Sequence, residues 1–154
     1  MKKIKVLTSG GFDPLHTGHF RCMEAAKKLG DYLIVVINGD SWLMRKKGRV
    51  FMSAKDRAEI IRGLSCVDEV YILNSERDDV GEALERFRPA IFAKGGDRIA
   101  KNIPERAICK NLGIKVFYGV GGGKIESSSE LLENYWKQGK ATSVRAGGRG
   151  KRRT

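Results

Sequence analysis

The chain has 154 residues and a mass of 17.1 kDa, the length of a single domain. Its content of 41% hydrophobic and 31% charged residues is typical of a globular protein and excludes collagen, bulk disorder and a membrane bundle. The cysteines Cys22, Cys66 and Cys109 form no metal-binding or disulfide-type spacing. No apolar run approaches the roughly 20 residues of a membrane span. These features predict a cytoplasmic protein without a targeting segment.

The net charge of +12 is concentrated at the carboxyl end of the chain. From residue 137 onward the chain holds seven basic residues and no acidic one, which leaves +5 for the rest. We therefore predict a domain over residues 1–138 and a disordered basic tail over residues 139–154, which is rich in glycine and poor in large apolar side chains. The tail keeps a nucleic-acid-binding function open, although it lacks aromatic residues for base stacking.

Hydrophobic patterning predicts alternating strands and helices in the first half of the chain. Residues 3–8 are an apolar strand ended by glycines, and Thr17 is the candidate N-cap of a helix over residues 17–29. Residues 32–38 form a continuous β-branched run, typical of a strand buried on both faces. A basic loop with the sequence MRKKGR follows, and Ser53 is the candidate N-cap of a helix to residue 63.

The second half repeats this alternation. Strands are predicted over residues 69–73, 91–94 and 114–118, and helices over residues 80–87, 104–112 and 127–137. The order predicts an α/β fold, a doubly wound five-stranded parallel sheet with helices on both faces. Such sheets bind ligands at the carboxyl ends of their strands. Four segments follow strands and are expected to meet there: GGFDPLHTGH, NGDSWLMRKKG, KGGDR and GGGKIESSS.

The two histidines of the chain, His16 and His19, lie where a glycine-rich turn enters a predicted helix. A helix start offers unpaired N–H groups and the positive end of the helix dipole, and glycines let the backbone approach a ligand. Two imidazoles three positions apart can point to one phosphate. The pattern predicts a phosphate-handling site, with hydrogen-bonded turn histidines as the alternative interpretation.

The segment GGFDPLHTGHF resembles the first signature of the HxGH nucleotidyltransferase superfamily, which includes cytidylyltransferases and pantetheine-phosphate and nicotinamide mononucleotide adenylyltransferases. The resemblance extends over residues 4–136. The order of NGD, a lysine-bearing loop, KDRAEIIRGLSCVDEV, RPAIFAKGGD and ESSSELL is most similar to the sugar- and alditol-phosphate branch. Glycerol-3-phosphate cytidylyltransferase and the nucleotidyltransferase domain of the heptose-phosphate enzyme are nearest in pattern.

The resemblance implies a Rossmann-like domain and a reaction without a covalent intermediate. A substrate phosphate attacks the α-phosphorus of a nucleoside triphosphate in line, and pyrophosphate leaves. Catalysis then consists of positioning and of neutralising phosphate charge, so the site residues act as hydrogen-bond donors and cations. Mg²⁺ is expected to offset the charge of the triphosphate, although no carboxylate cluster marks a metal site in the sequence. Relatives are commonly dimers, so a homodimer is expected.

The resemblance also implies roles for particular residues. His16 and His19 would bind the triphosphate and stabilise the α-phosphate in the transition state, with Gly18 letting the nucleotide approach the backbone. The phosphate-binding turn and the acidic position after it are matched by Gly10, Gly11, Phe12 and Asp13. Asp13 has a plain capping role as its alternative.

The basic loop would supply a lysine that reaches the substrate phosphate and the α-phosphate, as a flexible point charge can. Lys47, directly before Gly48, matches this position best, and Lys46 is its rival. Trp42 is expected either to line the acceptor pocket or to anchor its own loop. We assign Lys46 and Trp42 to acceptor binding.

The second signature is matched by Ser127, Ser128 and Ser129, whose hydroxyl and N–H groups would bind the β- and γ-phosphates. A simple capping run is the alternative interpretation. Many relatives carry arginine before or near these serines, whereas this chain has Glu126, so Lys124 is expected to take the role of the cation. Arg57 matches a helix arginine near the triphosphate, and Asp97 matches an acidic position that faces the nucleotide or the hydroxyl groups of the acceptor.

The sequence leaves the base and the acceptor open, so CTP and ATP remain candidates, as do sugar and alditol phosphates. The main alternative is an adenylyltransferase that acts on a cofactor precursor of the flavin or pantetheine phosphate type. The alternative from another class is a nucleic-acid-binding protein that uses the basic tail.

Overall fold

The computed structural model describes residues 2–96, 103–123 and 127–147. Its five strands are β1 Lys5–Gly10, β2 Tyr32–Asn38, β3 Glu69–Leu73, β4 Ile91–Gly95 and β5 Lys115–Val120. Its helices are α1 Thr17–Lys27, α2 Asp40–Lys47, α3 Ala54–Arg62, α4 Gly81–Phe87, α5 Arg106–Leu112 and α6 Ser128–Gly147. The alternation confirms the predicted α/β class.

All strand pairs are parallel, and the sheet order is β3-β2-β1-β4-β5. The chain builds outward from β1 through β2 to β3, and then returns to the other side of β1 to add β4 and β5. The order therefore reverses between β1 and β4. In doubly wound sheets the ligand crevice opens at this point, outside the carboxyl ends of the two strands.

Two apolar clusters pack on opposite faces of the sheet. One contains Met23 and Ala26 of α1 with Ala58 and Ile61 of α3, and the other contains residues of α4 and α5. Strand β2 contributes alternating side chains to both, which explains its unbroken β-branched sequence. The doubly wound, Rossmann-like architecture predicted from the sequence is confirmed.

The predicted basic loop after β2 is wrong, because these residues belong to helix α2. Arg45, Lys46 and Lys47 form its last turn, and Gly48 ends it in the left-handed conformation with φ of 71°. The helix buries a single side chain, Leu43, and therefore lacks the apolar stripe by which helices are recognised in a sequence. Lys46 and Lys47 consequently stand on a rigid element.

Several element ends differ from the prediction by one to three residues, and three differences bear on the site and the tail. Helix α1 has His16 and not Thr17 as its N-cap, and β1 continues to Gly10. Helix α6 continues to Gly147, so helical backbone occupies residues 139–147 of the predicted disordered tail. That stretch contains no proline, and helix formation does not require large apolar side chains. Residues 148–154 lie outside the described residues.

No helix within residues 2–96, 103–123 and 127–147 is long and apolar enough to cross a membrane.

Candidate active site

The turn between β1 and α1 is shaped by Phe12. This residue has a positive φ of 53°, and its ring is buried under the turn. A Cβ atom on Gly10 would lie 3.0 Å from two carbon atoms of that ring, so a side chain at position 10 would press the ring out of place. The other side of the Phe12 ring meets His19 edge to face, with 5.0 Å between ring centres. The buried Phe12 ring therefore packs against His19 and supports the first signature.

His16 and His19 are fixed by hydrogen bonds to backbone N–H groups at the start of helix α1. The backbone N–H of Gly18 donates to Nδ1 of His16 at 3.1 Å, and the backbone N–H of His16 donates to Nδ1 of His19 at 3.2 Å. This is a capping box in which both partners are histidines. Because each Nδ1 accepts a hydrogen bond, the neutral form of each imidazole carries its proton on Nε2.

The two imidazole rings lie face to face, with centres 3.7 Å apart and planes inclined by 21°. Burial, the neighbouring His16 and the positive charge of Lys47 lower the pKa of His19 to about 3. At neutral pH His19 is therefore uncharged, and it can act as a hydrogen-bond donor through its Nε2–H group.

Gly18 is required by the histidine pair itself. A Cβ atom at this position would lie 2.9 Å from Cε1 of His16, closer than side-chain packing permits. The sequence assigned Gly18 to the approach of a nucleotide, which stays a prediction. The structure adds that the missing side chain makes room for the His16 ring.

The cations of helix α2 face in different directions. Lys46 forms an ion pair with Asp78 at 2.9 Å, and Arg45 lies 3.8 Å from the same carboxylate. Lys47, in contrast, lies close enough to His19 for its charge to lower the pKa of that imidazole. Within the described residues Lys47 forms no ion pair with a carboxylate. The structure therefore favours Lys47 over Lys46 as the cation beside the histidines.

Arg57 is the buried centre of this region, with a side chain that is 0% exposed. Its guanidinium donates to the carbonyl oxygens of Gly11, Asn38 and Met52 and to Oδ1 of Asp40. These acceptors belong to the turn after β1, the end of β2, the segment before α3 and the start of α2. Arg57 thus links these four segments through buried hydrogen bonds. Direct contact of Arg57 with a triphosphate stays a prediction, and the burial of its side chain does not favour it.

Asp13 is also buried and ties the same turn to the segment before α3. Its two carboxylate oxygens accept hydrogen bonds from the backbone N–H groups of Phe51 and Met52, each at 2.7 Å. Asp40 accepts a further one from Ala54 at 2.9 Å. The sequence reasoning assigned no role to Asp40, although the NGD segment after β2 contains it. Both aspartates act here as positioning residues.

Ser128 joins the second signature to the first. Its hydroxyl group donates to the carbonyl oxygen of Pro14 at 2.8 Å, and the residue is buried at the start of helix α6. The hydroxyl proton of Ser128 is thus used within the protein, while Ser127 and Ser129 flank it and are partly exposed. The structure therefore brings the two signatures together. The predicted site residues Asp97 and Lys124, and Glu126 as well, lie outside the described residues.

Comparison with known proteins agrees with this geometry. Residues 7–120 match the family described as cytidylyltransferase-like. The chain belongs to the cytidylyltransferase-like family. The match spans β1 to β5 and includes both histidines, so it confirms the predicted superfamily and the predicted enzyme class, a nucleotidyltransferase.

Relatives of this cytidylyltransferase-like chain include larger proteins. The bifunctional protein HldE of Syntrophotalea carbinolica is 35% identical over 141 residues, which are 89% of this chain and 28% of that protein. HldE of Helicobacter pylori strain G27 is 37% identical over 130 residues, 83% of this chain and 27% of the relative. The chain thus spans about a quarter of the length of these curated relatives.

A solved structure is similar over its whole length. The lipopolysaccharide core biosynthesis protein from Thermoplasma volcanium GSS1 superposes with a TM-score of 0.66 and 26% sequence identity. The superposition covers 81% of this chain and 100% of that one. The cytidylyltransferase-like fold is therefore shared from end to end of that protein.

Trp42 anchors its own segment, which is one of the two roles that the sequence left open. Its Nε1 donates to the carbonyl oxygen of Asp78 at 3.2 Å, which anchors α2 to the segment after β3. The same side chain lines a cavity of about 280 Å³ between these two elements. Acceptor binding by Trp42 stays a prediction for this cytidylyltransferase-like chain.

Replacing Lys47 with methionine is expected to lower turnover about 100-fold, because a cation beside the reacting phosphates is lost. The matched variant Lys46→Met removes the same charge one residue earlier. Since Lys46 pairs with an exposed carboxylate, its loss is expected to change turnover at saturating substrate by no more than about twofold, while its predicted role in acceptor binding would raise the KM for the acceptor. Steady-state turnover of the two variants measures the difference. Equal losses in both would contradict the assignment of Lys47.

Proposed function

We propose that this protein transfers a nucleoside monophosphate, CMP or AMP, from its triphosphate to a small phosphorylated acceptor, a sugar or alditol phosphate, with release of pyrophosphate. The observation that carries the proposal is the pair of stacked imidazoles at the start of α1. Both carry their protons on Nε2, and His19 is uncharged at neutral pH. Such a pair is suited to donate hydrogen bonds to phosphate oxygens.

In the proposed reaction an oxygen of the acceptor phosphate attacks the α-phosphorus. The bond from the α-phosphorus to the oxygen that bridges to the β-phosphate breaks, and pyrophosphate leaves with the electron pair. The attacking phosphate oxygen is already anionic at neutral pH, so no base is needed to remove a proton. The low pKa of His19, about 3, agrees with a role as a neutral donor.

The residues of this chain supply positioning and charge compensation. His16 and His19 donate through Nε2 to the α-phosphate, whose equatorial oxygens gain charge as the reaction proceeds. Lys47, on α2, contacts the same phosphate and compensates its charge. The backbone turn of Gly10, Gly11 and Phe12 and the start of α6 at Ser127 and Ser129 bind the remaining phosphates.

Mg²⁺ would supply charge neutralisation of the triphosphate when bound. Within residues 2–96, 103–123 and 127–147 no group of three metal-ligating side chains is present. The carboxylate of Asp13 is occupied by two backbone N–H groups. The described residues therefore form no such cluster, and in the proposed reaction phosphate oxygens and water would hold the ion.

The comparisons support a sugar-phosphate acceptor. The structural relative from Thermoplasma volcanium is described as a lipopolysaccharide core biosynthesis protein, and the matched curated relatives are HldE proteins. The cavity beside Trp42 adds an aromatic surface with polar neighbours, a setting that suits a polyhydroxylated compound. An acceptor with a flavin or pantetheine group is the alternative that the test below distinguishes.

One nucleoside triphosphate is expected to stabilise the protein more than the others. The experiment compares thermal unfolding with CTP, ATP, GTP and UTP, each with Mg²⁺, because a ligand at 100 times its dissociation constant adds about 2.7 kcal/mol. The preferred nucleotide is then incubated with sugar 1-phosphates, glycerol 3-phosphate, 4′-phosphopantetheine and flavin mononucleotide, and pyrophosphate release is measured. Folded protein that responds to none of the four nucleotides would contradict the proposal.

A further inference from the structure

A second cation, Lys94, lies at the edge of the sheet where the strand order reverses. The register pairs Val6 with Ile91 and Leu7 with Phe92, and the hydroxyl group of Thr8 donates to the carbonyl oxygen of Ala93 at 3.0 Å. Continuing this register places Lys94 level with Ser9. Lys94 is therefore next to the turn that leads to the histidines, at the carboxyl end of β4, the neighbour of the central strand β1.

The ammonium group of Lys94 is largely removed from water. Its side chain is 13% exposed, and Nζ lies 4.7 Å from the centre of the Phe92 ring. Oε2 of Glu105, whose side chain is 4% exposed, lies 4.0 Å from Nζ. A buried ammonium and a buried carboxylate are costly to maintain, and each compensates the charge of the other.

Glu105 connects three elements at this edge. Its Oε1 accepts a hydrogen bond from the backbone N–H of Val80 at the start of α4, and Glu105 itself is the N-cap residue of α5. Its Oε2 accepts no hydrogen bond within the described residues. The 4.0 Å separation from Lys94 exceeds hydrogen-bond length, so the two groups are held together by charge alone.

The positive charge of Lys94 acts to lower the pKa of one thiol on α1 and of one on α5. Burial raises the pKa of Cys22 on α1 and that of Cys109 on α5, to about 11 for Cys109, and in each case Lys94 opposes the rise. Cys22 lies one helical turn after His19. The positive field of Lys94 thus extends toward the helix that bears the histidines.

The side chain of Lys94 packs on the sheet face opposite to that covered by α1. Its neighbours Phe92 and Cys109 belong to the cluster of α4 and α5, whereas Met23 and Ala26 of α1 belong to the other cluster. In-line displacement requires the attacking and leaving oxygens to lie on opposite sides of the α-phosphorus. A triphosphate at the start of α1 and an acceptor phosphate at Lys94 would approach this edge from different faces of the sheet, an arrangement compatible with in-line attack.

We propose that Lys94 binds the phosphate group of the acceptor at the carboxyl end of β4, and that Glu105 is the residue that positions its ammonium group. This inference rests on the proposed function for the identity of the anion, a sugar or alditol phosphate. The two groups form one unit: the lysine contacts the ligand, and the glutamate acts through the lysine.

The test compares variants of the whole chain for binding of ATP and CTP and, separately, of glucose 1-phosphate and glycerol 3-phosphate. Lys94→Met is expected to raise the dissociation constant of the phosphorylated acceptor about tenfold or more, since a charged hydrogen bond is lost, and to leave that of the nucleotide within about twofold. Lys94→Arg restores the charge and is expected to recover part of the affinity. Glu105→Gln keeps an acceptor for Val80 and is expected to weaken acceptor binding about threefold or more.

The matched control is Lys115→Met, which removes the same charge from an exposed position at the other end of the strands and is expected to change neither constant. The double variant Lys94→Met/Glu105→Gln removes both charges, so that no unpaired buried charge impairs folding. Weakened nucleotide binding in Lys94→Met, unchanged acceptor binding, or a wild-type chain that binds neither acceptor would each overturn the inference. Acceptor binding that depends on Lys94 in a chain that binds no nucleotide would keep the inference and reject the proposed function.

Discussion

Replacing His16 or His19 with alanine is expected to lower turnover at least about 100-fold, the scale of removing one preorganised donor from a transition state. Each substitution deletes an Nε2–H group that the capping box directs away from the helix. It also removes a cap, which is expected to cost about 1 kcal/mol of stability. Turnover and unfolding therefore have to be measured together, at saturating substrate and by denaturant titration.

The variant His16→Asn separates the two effects. Asparagine is a good N-cap residue and accepts from the same helix N–H groups, but it does not place a donor where Nε2 stands. We expect His16→Asn to unfold at nearly the same denaturant concentration as the wild type while it loses turnover as severely as His16→Ala. Wild-type turnover in His16→Asn would show that His16 serves only as a cap.

Replacing Arg57 with methionine is expected to reduce the free energy of unfolding by at least about 3 kcal/mol, because three buried carbonyl oxygens lose their donor at once. That is a large part of the 5 to 15 kcal/mol that holds a typical domain folded. The same change frees Asp40 and so releases α2, which carries Lys47. Urea unfolding measures the first effect, and turnover of the fraction that remains folded measures the second.

Arg62, exposed at the end of the same helix α3, provides the matched control. Arg62→Met removes the same type of side chain without a buried network, and its effect is expected to stay within about 0.5 kcal/mol. A loss below 1 kcal/mol in Arg57→Met would mean that other contacts hold the four segments together. It would also restore the interpretation of Arg57 as a residue that contacts the triphosphate.

The sheet was predictable from the sequence because strands that are buried on both faces consist of continuous runs of apolar residues. Strands β2 and β3 begin and end at the predicted residues. The segments after β1 and β2 meet at one edge, where Arg57 donates to Gly11, Asn38 and Asp40. The position of His16 and His19 at a helix start was predictable because a glycine-rich turn precedes them and helical spacing of apolar residues follows. The identity of the N-cap was not, since an imidazole rarely takes that role and Thr17 is the more usual cap.

Helix α2 was not predicted because a short helix that buries only one leucine shows no hydrophobic periodicity. The preference for Lys47 over Lys46 could not be predicted either. Adjacent residues on a helix point about 100° apart, so the folded structure is needed to show which of the two lysines faces His19. The burial of Arg57 is a further case. In the sequence it is one of several cations in an amphipathic helix, and its partners come from four separate segments.

The hydrogen bond from Ser128 to Pro14 joins positions that are 114 residues apart in the chain. During synthesis, the turn of Pro14 and the histidines emerges from the ribosome early, whereas its partner on α6 follows only after all five strands have been made. The sheet and both apolar clusters can thus begin to form before the second signature exists. The site between the two signatures is consequently the last part of the domain to be completed, and until α6 has been made the histidines lack the serine that fixes the turn beside them.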